Sequence, residues 1–118
     1  MKGEKLVEVL LKTSGKTLIT SVAGDIDHHN AAQIKEKIDK VIERDNIKNI
    51  VFDFSKVSFM DSSGIGMIIG RYKLIERRSG KTAICAMNKD IKRIFDISGL
   101  GKIIKVYDSV ANAISKIQ

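Results

Sequence analysis

The sequence predicts an α/β fold built on a mixed, mostly parallel β-sheet with an N-terminal hairpin and about four helices. Three observations carry this expectation. Two runs rich in β-branched and apolar residues open the chain and are separated by Thr13-Ser14-Gly15-Lys16, which has turn chemistry. From His28 onward, stretches of helical periodicity alternate with short apolar runs, an order that implies right-handed crossovers between parallel strands. A length of 118 residues with 43% hydrophobic content suits one core, so residues 1–118 are expected to form a single domain.

Leu6 to Leu11 and Thr17 to Ala23 read as the two strands of the hairpin. From His28 to Arg44 the apolar residues Ala31, Ile34, Ile38, Val41 and Ile42 recur at helical spacing, with Asp27 as the cap and Glu36–Lys40 as an i,i+4 pair on another face. A strand from Asn49 to Phe54 and a helix from Ser63 to Arg78 follow. Next come a strand from Thr82 to Met87, a helix from Lys89 to Ile97, a strand from Lys102 to Tyr107 and a last helix from Ser109 to Gln118. Ser98-Gly99-Leu100 has the form of a helix stop, with Gly99 left-handed and Leu100 folding back on the helix. The chain has no proline, so every break is expected to rely on Gly, Asn, Asp or Ser.

Composition narrows the function. No window approaches the roughly 20 apolar residues that span a bilayer, and the early apolar run is too short for a signal-peptide core, so a cytoplasmic protein without membrane association is expected. The lone cysteine, Cys85, lies in the apolar run Ala83 to Met87 and is expected in the core rather than in a disulfide. The formal charge of +7 raises nucleic acid as a partner, but Lys and Arg are interleaved with acids and only two Tyr and no Trp are available for base stacking. That distribution favours an acidic protein over direct nucleic-acid binding. Arg71, Lys73, Arg77 and Arg78 read as a solvated helix face.

Most catalytic and cofactor chemistry is poorly matched. Gly64-Ile65-Gly66 with Gly70 resembles a dinucleotide-binding turn whose third glycine comes one position late, and the acid expected about twenty residues on is missing. Tight turning and close helix-to-sheet packing explain Gly64 and Gly66 better. The two Gly-Lys-Thr tripeptides, at 15–17 and 80–82, lack the glycine five residues earlier and lead into strands, so they read as turns. Asp25, Asp27, His28 and His29 gather ligand-type side chains, but histidines adjacent at a helix start diverge by about 100°. No metal, cofactor or catalytic residue is expected, and Ser62 is not in a Gly-x-Ser-x-Gly elbow, which argues against an enzyme.

The most informative segment is Phe59-Met60-Asp61-Ser62-Ser63-Gly64-Ile65-Gly66. An N-cap needs one short acceptor side chain, yet Asp61, Ser62 and Ser63 all compete for the role. At least one hydroxyl is therefore expected to stay free at the electropositive end of a helix, a position suited to phosphorylation. Gly24 to Asp27 and Met60 to Ser63 each follow a strand and precede a helix, which places both at one edge of a parallel sheet as a single recognition surface.

Gly24-Asp25-Ile26-Asp27-His28-His29, the Ser58 to Gly66 block, Gly70-Arg71-Tyr72-Lys73 and the Lys92 to Leu100 segment together resemble the bacterial anti-sigma factor antagonists of the STAS domain family. The similarity is greatest to the branch acting in sporulation on the anti-sigma factor of sigma F. The resemblance implies partner switching. The unmodified antagonist would bind an anti-sigma factor that is also a serine kinase and so release the sigma factor for transcription. The kinase would then phosphorylate the antagonist, and a serine phosphatase would reset it. It implies Ser62 as the phosphorylation site, with Asp27, Asp61, Ser62, Ser63 and Gly64 on the partner-binding surface. A general-stress pathway or another STAS docking role is the alternative, and a nucleic-acid binder a more distant one. Gly101 departs from the aromatic residue of sporulation relatives.

Overall fold

The computed structural model describes residues 7–118. Strands β1 (Glu8–Ser14) and β2 (Thr17–Ile26) form the hairpin, followed by helix α1 (Ala31–Arg44), β3 (Asn49–Met60), α2 (Ser62–Arg77), β4 (Thr82–Cys85) and α3 (Lys89–Ile97). A one-turn 3₁₀ helix (Leu100–Lys102), β5 (Lys105–Tyr107) and α4 (Val110–Ile117) complete the order. The sheet runs β1-β2-β3-β4-β5, with β1 antiparallel to β2 and every other pairing parallel. The expected mixed sheet is thus present. Leu6, where the first strand was expected to begin, lies outside the described residues.

Strand order determines where the helices sit. β2 to β5 are laid down in one direction, so successive right-handed crossovers send α1, α2 and α3 to the same face. Strand side chains alternate between faces. Ile50, Phe52, Phe54 and Ile84 accordingly meet Ile34, Ile38, Ile68, Ile75, Ile91 and Phe95 in the main core. Val51, Ala83 and Cys85 face the other way and pack with Ala113 and Ile117 of α4. The five α1 residues expected at helical spacing are the five it buries. Cys85 is fully buried, and burial first, then the Asp53 charge, pushes its thiol up to about 11.

Several boundaries differ from expectation. β3 continues to Met60 rather than ending at Phe54, because its backbone stays paired with β2 through a polar stretch in which only Val57 and Met60 are buried. Irregular register between Ser21 and Asp25, with Gly24 at φ 112°, extends β2 to Ile26. β4 stops at Cys85 because Ala86 adopts φ 64°, a break made by none of the usual breaking residues. The chain segment 100–102 is 3₁₀ helix, so β5 starts at Lys105. Gly99 is left-handed at φ 83° and Leu100 is buried, as the helix stop requires. Gly101 lies against Phe95 and Asp96, where a Cβ would meet only ordinary contacts. Among the described residues the i,i+4 ion pair of α1 is Lys35–Asp39 rather than Glu36–Lys40.

Arg71 corrects the solvated-face expectation. It is 7% exposed, and its Nε lies 2.9 Å from Asp39 Oδ1 of α1. The two atoms are not aligned for a hydrogen bond, so the contact is an ion pair of imperfect direction. Arg78 reaches the Ile47 carbonyl and the Asn46 side chain. Only part of the basic cluster is therefore free to meet solvent.

Candidate functional site

The loops after β2 and β3 meet at the C-terminal edge of the sheet. Ile26 pairs with Met60, and the Asp61 amide donates to the Ile26 carbonyl at 3.2 Å. Asp61 wins the competition for the N-cap of α2. Its extended backbone (φ −105°, ψ −170°) lets Oδ1 accept from the Ser63 amide at 2.8 Å. Oδ2 accepts from the His28 amide at 3.2 Å, which ties the α1 entry loop to the start of α2. Partial burial works against ionisation of Asp61. The amides of Ser63, His28 and Gly64 and the His28 side chain outweigh it and hold the carboxyl below its ordinary range.

Ser62 is the first residue of α2 and is exposed, whereas Ser63 is half-buried with its amide held by the cap. The serine hydroxyls take no part in capping. Gly64 is buried, and a Cβ there would collide with the Met60 side chain and press on Ile26 Cγ2, so this glycine permits the close packing of α2 on the sheet. Gly66 has no such role. Nothing lies within 4 Å of its Cβ position, which corrects the expectation that both glycines serve packing.

Asp27 is placed beside this group but does not cap α1. The helix starts later, at Ala31, with Asn30 at its N-cap position. Asn30 instead organises the loop, donating from Nδ2 to the Asp25 carbonyl at 2.7 Å and accepting from the Asp27 amide at 3.0 Å. Asp27 Oδ1 accepts from the His29 amide at 2.9 Å, closing an Asx turn. Because His28 and His29 stand in this turn rather than a helix, their rings do not diverge. They lie in contact with centroids 3.9 Å apart and planes tilted by 38°, His28 beside Asp61 and His29 beside Asp27. Among the described residues no group of three or more His, Cys, Asp or Glu is arranged to hold a metal ion. Nor, among them, is any helix long and apolar enough to cross a membrane.

Asp27, Asp61, Ser62, Ser63 and Gly64 are thus brought to one edge. Sequence reasoning missed Asn30, whose spacing from Asp27 is the signal of an Asx-type loop, and the Asp61–His28 bond, which no local pattern announces. The arrangement offers a positioned hydroxyl beside a fixed negative charge at a helix N-terminus, with no nucleophile–base pair assembled.

The STAS domain family model matches residues 8–113. The anti-sigma F factor antagonist of Paenibacillus polymyxa is 40% identical over 101 residues, covering 86% of each chain. That of Lysinibacillus sphaericus is 34% identical over 86 residues, 73% of this chain and 74% of the relative. The solved structure of the Bacillus cell fate determinant SpoIIAA in its phosphorylated form superposes with a TM-score of 0.75 at 29% identity, covering 94% of this chain and 100% of that one. This chain belongs to the STAS domain family and stands among its anti-sigma factor antagonists.

Proposed function

We propose that this chain is the phosphorylatable element of a partner switch. Its unmodified form binds an anti-sigma factor that is also a serine kinase, and so frees a sigma factor. The observation that carries the reading is the exposed Ser62 hydroxyl in the first turn of α2, beside an Asp61 carboxylate already engaged by two amides. The kinase would transfer the γ-phosphoryl group of ATP to Ser62 Oγ, releasing ADP and the hydroxyl proton. Asp61 is a positioning residue here, since both its oxygens are occupied. Half-burial of Ser63 favours Ser62 as acceptor. The docking surface comprises Asp27, Asp61, Ser62, Ser63 and Gly64, and the chain itself performs no catalysis.

Phosphate at a helix N-terminus stabilises the helix by about 0.3–2 kcal/mol, partly offset by the neighbouring Asp61. In a docked interface the same group must shed water, and an uncompensated buried charge costs about 3–5 kcal/mol. Release therefore needs no refolding. A serine phosphatase would restore the binding form. Relatives at 40% and 34% identity carry the name anti-sigma F factor antagonist, against 32% for two anti-sigma-B factor antagonists, and SpoIIAA is known in a phosphorylated form; the ranking supports sigma F as the pathway and the SpoIIAA structure supports phosphorylation as the control. The switch implies a cytoplasmic protein. Intact-mass analysis after incubation with the kinase and ATP tests the site. One added phosphate that is absent from Ser62→Ala is expected, and equal phosphorylation of that variant would move the acceptor elsewhere.

A further inference from the structure

The loop between β2 and α1 is held by side chains rather than by a regular ladder. The β2–β3 register shifts between Gly24 and Asp25, and Gly24 stands at φ 112°, so strand pairing is irregular just before the loop begins. Beyond it, three consecutive amides each donate to a side-chain oxygen: Asp27 to Asn30 Oδ1 at 3.0 Å, His28 to Asp61 Oδ2 at 3.2 Å and His29 to Asp27 Oδ1 at 2.9 Å. Asn30 makes a second contact, since its Nδ2 donates to the Asp25 carbonyl at 2.7 Å. One side chain thus grips the backbone on both sides of Ile26. The two backbone groups are one N–H and one C=O, so the position calls for an acceptor and a donor on the same side chain. Asn30 also stands at the N-cap of α1, where its oxygen would ordinarily take a first-turn amide, yet it makes no such bond. Its amide serves the loop and not the helix.

The residue held in this way is Asp27. Its Oδ1 is engaged by the His29 amide, with His29 Nδ1 3.8 Å away, whereas its Oδ2 makes no bond among the described residues and the side chain is 25% exposed. Asp61 has both oxygens occupied. Of the two carboxylates on the proposed docking surface, Asp27 is therefore the one with an acceptor still open. We infer that Asn30 is a positioning residue for partner docking, acting through Asp27 by fixing the loop in the conformation that the anti-sigma factor kinase takes up. This inference rests on the partner-switch reading. A carboxylate on a mobile loop has to be ordered as the complex forms, and that ordering subtracts from affinity, whereas a loop already held at two points avoids the loss. Preorganisation equivalent to one net hydrogen bond corresponds to about five- to tenfold in affinity.

The test is the affinity of the full chain for the anti-sigma factor kinase, measured by titration calorimetry for the parent, Asn30→Ala, Asp27→Ala and the double variant, with thermal unfolding of each. Asn30→Ala is expected to bind about five- to tenfold more weakly while still unfolding cooperatively, since no α1 cap bond is lost with it. In the Asp27→Ala background the same substitution should change affinity by less than about twofold, because the carboxylate it positions is gone. A merely structural role would lower affinity equally in both backgrounds. Asn30→Gln, which carries the same amide one methylene further out, should recover part of the loss. Equal affinity of the parent and Asn30→Ala, or a loss that persists undiminished without the Asp27 carboxylate, would overturn the inference and leave the switch reading standing. A parent chain that does not bind the kinase would overturn both.

Discussion

Asp61 holds two loops with one carboxylate, and that makes its removal informative. Asp61→Ala should lower stability by about 0.5–2 kcal/mol in urea unfolding, the range for loss of an N-cap. Its depressed folded-state ionisation sets the sign with pH. The carboxylate's contribution is fully present above the unfolded value near pH 3.9 and is lost as pH falls through the lower folded value. The stability gap between the parent and Asp61→Ala should therefore narrow in acid, below about pH 4. The two glycines next to it should respond in opposite directions. Gly64→Ala forces Met60 and Ile26 to move and should destabilise by about 1–3 kcal/mol. Gly66→Ala enters open space within a helix and should stabilise by about 0.5–1 kcal/mol. Thermal unfolding of the pair side by side checks both signs.

At the scale of elements, the sequence was most legible where one periodicity dominated. The buried stripe of α1 follows from its 3.6-residue spacing, and the Asp61-Ser62-Ser63 start of α2 follows from cap chemistry. Legibility failed where backbone pairing overrode side-chain character. Ser55 to Ser58 looks like a loop but stays in β3 because β2 runs alongside it, and Ala86 ends β4 without a breaker residue. It failed again where a long-range partner decided the outcome. Nothing near Arg71 in sequence indicates that Asp39, on another helix, would draw it into a buried ion pair. That pair fastens α1 to α2 beneath the candidate docking edge. Asp39→Ala should leave the Arg71 charge buried without its partner and cost about 1–3 kcal/mol, reduced from the fully buried case because Asp39 is 31% exposed. In a double-mutant cycle, Arg71→Met should recover part of that loss, and full additivity of the two would show that the pair contributes nothing.

Across the whole molecule, the sheet separates two regions of surface chemistry. The C-terminal edge carries Asp27, Asp61, Ser62 and the two touching histidine rings, and the opposite end carries a cleft whose lining includes Lys81, Lys105 and Lys116. α2 spans the distance between them, with Ser62 at its start and Tyr72 and Glu76 in its second half. Ser62 is exposed and belongs to neither of the two apolar clusters that sandwich the sheet, so a charge added there is not placed in the core. The switch works on this account by altering what the edge can bind, while the fold beneath it stays the same. The most direct measurement is the affinity of one preparation for its anti-sigma kinase before and after stoichiometric phosphorylation, with the thermal midpoint recorded for both forms. A loss of affinity of about two to three orders of magnitude with the midpoint shifted by no more than a few degrees is predicted. Unchanged affinity, or a phosphorylated form that has lost its cooperative unfolding, would contradict it.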